Sequence, residues 1–238
     1  MRKTMFKLAA ACVAMGAMSV SAPAFAQDEE EVAEEEGPIT ANITVGVVSD
    51  YRFRGVSLSD KDPALQVGAT LSHESGLYVG VWGSNIADNY GDDLEVDLFA
   101  GFSGGDTITY DIGATYYVYP GASAFDYVEF IGKVGTTVGP ATVGATLGYA
   151  PSQDGTGNQD NLYIGTNASV GITNTPVSVT GSIGYEDGAF GDDKIDWSLG
   201  LSATLNDYLS VSAAYVDTNR SVGGLGKAGA VFGATLSF

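Results

Sequence analysis

Along most of this chain apolar and polar residues alternate one by one, and the last stretch is the clearest case. Ala228, Ala230, Phe232, Ala234, Leu236 and Phe238 fall on one side, and mainly glycine, threonine and serine fall on the other. A repeat of two residues is strand geometry, because successive side chains point to opposite faces. The pattern recurs from Ala41 onward. In a first strand Ile43, Val45, Val47, Tyr51 and Phe53 alternate with Asn42, Thr44, Asp50, Arg52 and Arg54. Further strands are predicted around residues 64–73, 77–84, 94–102, 108–118, 127–134, 142–149, 162–170, 177–185, 195–205 and 209–215. Tyr78 and Trp82 leave the faces of the third ambiguous, and Ile131 breaks the polar face of the sixth. With the terminal strand this makes about twelve, and bacterial single-chain barrels have an even number.

The connections alternate too. Those at 56–63, 85–93, 120–126, 151–161, 187–194 and 217–227 are long and rich in Asp, Asn and Gly. Those at 73–76, 104–106, 139–140, 174–176 and 206–207 are tight. Up-and-down membrane barrels put short turns at one end and longer loops at the other, whereas a soluble sandwich has no reason to alternate. The fold class predicted is therefore all-β, a transmembrane up-and-down antiparallel barrel. On its apolar face Tyr51, Phe53, Tyr116, Tyr149, Tyr185, Trp197 and Tyr215 gather beside the long loops, and Phe102, Tyr110 and Phe238 beside the short turns. Amphipathic rings belong at membrane–water boundaries, so these form two expected girdles.

Charged residues on the other face must meet water or each other. The expected lumen residues are Asp50, Arg52, Arg54, Gln66, Glu95, Asp97, Asp111, Tyr117, Glu129, Lys133 and Asp196. The acids outnumber the bases there, so the expected pore is negative.

The ends of the chain supply an address. Arg2, Lys3 and Lys7 precede an apolar stretch and then Ala24-Phe25-Ala26, the pattern of a secretory signal peptide over residues 1–26. Cys12, the one cysteine, lies inside it, so the remainder has no thiol for a disulfide or a thiolate metal site. Residues 27–38 form an acidic block, Asp28 to Glu36 above all, that repels itself and is expected to stay a solvated linker before a barrel over 39–238. A terminal aromatic such as Phe238 suits both a membrane anchor and the signal by which the outer-membrane assembly machinery recognises barrels.

Beyond the signal, seven basic residues face 29 acidic ones, a net charge of −22. That disfavours nucleic acid, which needs clustered Lys and Arg. Glycine, 33 of 238 residues, is about twice its usual ~7% share, as fits a strand-rich wall. No catalytic constellation stands out. The one histidine, His73, lies at a tight turn beside Glu74 and Ser75, where nucleophile and base seldom meet. Gly104-Gly105-Asp106 and Gly223-Gly224-Leu225-Gly226 join strands and open no helix, unlike phosphate-binding loops. Neither cofactor nor metal is expected.

The blocks Ser49-Asp50-Tyr51-Arg52-Phe53-Arg54-Gly55-Val56-Ser57, Lys61 to Gln66, and His73 to Asn85 resemble the TorF-type porin family, a proteobacterial group of conserved hypothetical outer-membrane proteins. The resemblance implies an outer-membrane location and a pore, and carries no ligand-binding residues. The expectation is a porin passing small hydrophilic solutes with mild cation preference, with outer-membrane lipid, lipopolysaccharide and the barrel assembly machinery as partners. The alternative is a closed structural or surface-interaction barrel whose acidic loops bind divalent cations and whose lumen is plugged by Arg–carboxylate pairs.

Overall fold

A computed structural model describes residues 37–88 and 93–238. The segment read as signal peptide, most of the acidic linker, and Asp92 of the second long connection lie outside these residues.

Twelve strands close into one barrel: β1 (Ile39–Val48), β4 (Ala64–His73), β5 (Leu77–Asn85), β6 (Leu94–Gly104), β7 (Ile108–Val118), β8 (Tyr127–Val138), β9 (Ala141–Ala150), β10 (Asn161–Gly171), β11 (Val177–Gly188), β12 (Gly191–Thr204), β13 (Leu209–Thr218) and β14 (Gly229–Ser237). Each pairs antiparallel with its chain neighbour, and β1 pairs with β14 from Thr44↔Ser237 to Val48↔Gly233 to shut the cylinder. Closure matters because unpaired backbone groups are costly in hydrocarbon, and a closed sheet leaves no edge. Phe238 completes the seam. Its N–H donates to the Ile43 carbonyl at 2.9 Å, and its carbonyl accepts from Ile43 N–H at 3.1 Å. Its ring lies outside, against Tyr208.

The period-two pattern becomes two surfaces. Ile43, Val47, Leu65, Leu71, Val79, Leu98, Ile112, Phe130, Ile183 and Leu199 are exposed on the outer wall, as a lipid-facing belt requires. Glu95, Asp97, Thr115, Glu129, Thr180 and Ser198 turn inward. Trp82 also points inward and is buried, and so does Ile131, which settles the ambiguous third strand.

Tyr116, Tyr149, Tyr185 and Tyr215 are exposed at the long-loop end. Each hydroxyl donates to an aspartate, Asp126, Asp160, Asp193 and Asp217 respectively, which anchors the polar tip of an otherwise apolar ring.

Two expectations need correction. The first strand does not run to Arg54: β1 ends at Val48, and the chain then turns into the lumen, where Arg52–Phe53 (β2) pairs with Val56–Ser57 (β3). Tyr51 and Phe53 are therefore absent from the outer girdle. Alternation across 41–54 was real, but it belonged to two separate strands divided by a bend at Ser49 and Asp50. The expected long connection 187–194 is also mostly strand. Glu186↔Lys194 and Gly188↔Gly191 continue the β11–β12 ladder through a bulge, leaving two residues at the tip.

Candidate functional site: a loop hairpin folded into the lumen

The segment Ser49–Ser57 forms a hairpin inside the barrel at the long-loop end. Its tip, Arg54-Gly55, has φ of 48° and 83°, the left-handed pair of a two-residue type I′ turn. Gly55 is needed twice over. A Cβ there would lie 2.9 Å from Asp196 Cβ and 3.0 Å from Thr218 Cβ, so the tip is pressed against β12 and β13.

Arginine side chains fasten the hairpin. Arg54 Nη2 donates to both carboxylate oxygens of Glu129 on β8 at 2.7 Å, and Nη1 donates to Glu186 Oε1 on β11 at 2.6 Å. The guanidinium also sits over the Tyr163 ring at 4.2 Å and the Phe53 ring at 4.6 Å. Lys194 on β12 completes the cluster, 2.5 Å from Glu186 Oε2 and donating to the Arg54 carbonyl at 2.9 Å. Burial works against the charged guanidinium, but Glu129 and Glu186 outweigh it and hold Arg54 charged above its usual range.

Arg52 fixes the other side. Its Nε donates to Asp50 Oδ2 at 2.6 Å, and Nη1 reaches the carbonyls of Gly55, Leu225 and Lys227 at 3.0–3.1 Å. Ser57 Oγ donates to Asp50 Oδ1 at 2.6 Å, and Ser57 N–H donates to the Leu225 carbonyl. Tyr51, 1% exposed, packs on Trp82 and donates to Glu95 Oε1 at 2.8 Å. Tyr119 donates to the second oxygen of Glu95 at 3.2 Å. Phe53 meets Tyr117, which stacks on Tyr127 at 4.4 Å. The outer half of the lumen is thus crossed by protein and held by charge-assisted bonds.

Of the residues expected in the lumen, Asp50, Arg52, Arg54, Gln66, Glu95, Asp97, Tyr117, Glu129 and Asp196 are inward, and most join this cluster or its walls. Asp111 and Lys133 sit apart, nearer the short turns, as register partners on β7 and β8, with Tyr78 donating to Asp111 at 3.0 Å. Asp50, Arg52 and Arg54 reach the lumen from the folded-in loop, not from a wall strand. Glu186 and Lys194 were missed. Inward alternation along Ser178, Thr180, Ser182 and Gly184 points at Glu186 when carried one step further, and stepping back from Ser198 and Asp196 points at Lys194. With both included, seven carboxylates and four bases line the interior, a net charge of −3.

Below the hairpin, toward the short turns, lies a cavity of about 320 Å³. Its upper surface is the hairpin, and its walls include Thr146, Ser182, Ser198, Ser212 and Thr235.

A closed, twelve-stranded up-and-down barrel with an apolar outer belt and a polar, loop-constricted interior defines a protein of the outer-membrane porin fold. The chain belongs to the family described as "Bacterial protein of unknown function (Gcw_chp)", whose model matches residues 32–231. None of the curated proteins matches it. Among solved structures it is similar to the KdgM porin, at TM-score 0.59 and 8% identity over 83% of this chain and 99% of that one. A structure described as KdgM porin in complex with disordered oligogalacturonate aligns at TM-score 0.60 and 8% identity, with the same coverage. The NanC porin aligns at TM-score 0.53 and 9% identity, over 84% and 99% of the two chains. At such identities the likeness is one of fold.

Proposed function

We propose that this chain is an outer-membrane porin of the TorF type, a non-enzymatic channel for passive diffusion of small hydrophilic solutes. The observation that carries this reading is the largely polar inner wall, which beneath the hairpin leaves a cavity lined in part by the hydroxyls of Thr146, Ser182, Ser198, Ser212 and Thr235. Fold likeness to porins over most of the chain supports it. The hairpin is the constriction, and solutes pass it by size and charge. An interior net charge of −3 favours mild cation preference, because a negative mouth concentrates cations and repels anions. The segment read as a signal peptide, and the apolar outer wall with Phe238 in its seam, fit delivery to the outer membrane by the assembly machinery, with lipid and lipopolysaccharide around the wall.

One observation favours the closed barrel instead: Arg54, Glu129, Glu186 and Lys194 form the Arg–carboxylate plug expected of that alternative. Planar-bilayer recording of the purified barrel separates the two. The porin reading expects ohmic current with a reversal potential of cation sign that shrinks as salt rises and the Debye length falls from ~10 Å at 0.1 M to ~3 Å at 1 M. No current above the bare bilayer would establish the closed barrel, and anion selectivity would mean that the arginines set the barrier.

A further inference from the structure

Most charged groups of the lumen are already matched or shut away. Arg52 pairs with Asp50, Arg54 with Glu129 and Glu186, and Lys194 with Glu186. Glu95, which accepts from Tyr51 and Tyr119, is buried, and so are Asp97 and Asp196. Asp111 and Lys133 differ from all of these. Each is only half-buried on the inward face, so water or solute can reach it. They are register partners on β7 and β8, and such cross-strand partners have Cβ atoms ~4.5–5.5 Å apart. Opposite charges so placed would ordinarily close on each other, yet the Lys133 ammonium makes no ion pair or hydrogen bond with any described residue. The reason lies with Tyr78 on β5, whose hydroxyl reaches across β6 and donates to Asp111 Oδ1 at 3.0 Å. Glycine makes that crossing possible: a Cβ on Gly101 of β6 would collide with the hydroxyl, and one on Gly113 of β7 would lie 2.9 Å from it. Asp111 is thereby held toward β6. Lys133 stands on the opposite side, beside Thr146 of β9, its other register partner and a wall residue of the cavity.

We propose that Asp111 and Lys133 form a subsite for a small zwitterion of α-amino acid size. The solute carboxylate accepts from the Lys133 ammonium, and the solute ammonium donates to Asp111. Two opposite charges held side by side but apart match a solute that carries both on one small frame, and both contacts are charge-assisted hydrogen bonds. Specificity follows from the pairing: a solute with only a negative charge meets Asp111 as a like charge, and one with only a positive charge meets Lys133. The outer constriction points the same way. Its negative charge repels anions, whereas a zwitterion of zero net charge passes it unpenalised. The inference names a solute class for the porin reading, and rests on that reading for the route by which solute arrives.

Calorimetry on the folded, detergent-purified barrel tests it with three probes of one shape. These are alanine, lactate, which exchanges the ammonium for a hydroxyl, and alaninamide, which exchanges the carboxylate for an amide. Alanine is expected to bind best. Lys133→Gln and Asp111→Asn should each weaken alanine by about tenfold or more, the usual worth of a charge-assisted hydrogen bond. The singly charged probes separate the two roles: Lys133→Gln should strengthen alaninamide by removing a like charge, and Asp111→Asn should strengthen lactate. Lys133→Arg should keep alanine binding, and heat-modifiable gel mobility verifies that each variant is folded. Alanine binding no tighter than lactate or alaninamide, unchanged alanine affinity in folded Lys133→Gln or Asp111→Asn, or no binding by any probe overturns the proposal. Binding by a barrel that carries no current keeps the subsite and removes the porin reading; current without binding does the reverse.

Discussion

Replacing Arg54 by alanine should unseat the hairpin and widen the channel. Glu186 would keep Lys194, but Glu129, fully buried, would lose its arginine and keep the longer bond from the Tyr117 hydroxyl at 3.3 Å. Removing one partner of a buried ion pair costs about 3–5 kcal/mol, because the other charge is left uncompensated. That penalty falls on the seated form, since lifting the hairpin lets water reach Glu129. A loss of about 2.7 kcal/mol already takes a hairpin from seated 99 times in 100 to seated half the time. Single-channel recording should therefore show a larger or strongly flickering conductance in Arg54→Ala. Ser57 is fully buried, so the thiol of a Ser57→Cys reporter should change from inert to reactive toward a thiol reagent when Arg54→Ala is added. Adding Glu129→Gln to Arg54→Ala removes the stranded charge and should restore much of the seating. Gly55→Ala reaches the same end sterically, because φ of +83° disfavours a side chain and its Cβ would strike β12 and β13. If Arg54→Ala and Gly55→Ala both fold, keep wild-type conductance and leave the reporter thiol inert, the ion-pair latch does not hold the hairpin.

Deleting Phe238 removes a seam residue and a lipid-facing ring, and should deplete the protein from outer-membrane fractions; wild-type levels with heat-modifiable mobility would refute that role. On intact cells, single cysteines replacing the exposed Ser152 and Ser221 in long loops should be labelled, and those replacing the exposed Asp106 and Asp207 in tight turns should not; the opposite pattern would invert the barrel.

Strand number, the outer belt and the terminal strand were legible in the sequence for one reason. In a membrane barrel each strand is sorted between lipid and lumen at every second residue, so the register is written locally and survives without knowledge of neighbours. Ile43, Leu98 and Ile183 outside, and Glu95, Asp97 and Glu129 inside, needed nothing else. The terminal strand likewise announced itself by alternation as far as Phe238. The fate of Ser49–Ser57 was of another kind. A polar loop with two arginines alternates equally well as a strand extension, and nothing local says whether it points outward or folds in. That was decided by Glu129 and Glu186, 75 and 132 residues away from Arg54, which only closure of the barrel brings to its guanidinium. The same closure placed the tip glycine against Asp196 and Thr218. Local periodicity determined the barrel; the long-range pairing of buried charges, which has no period in sequence, decided what fills it.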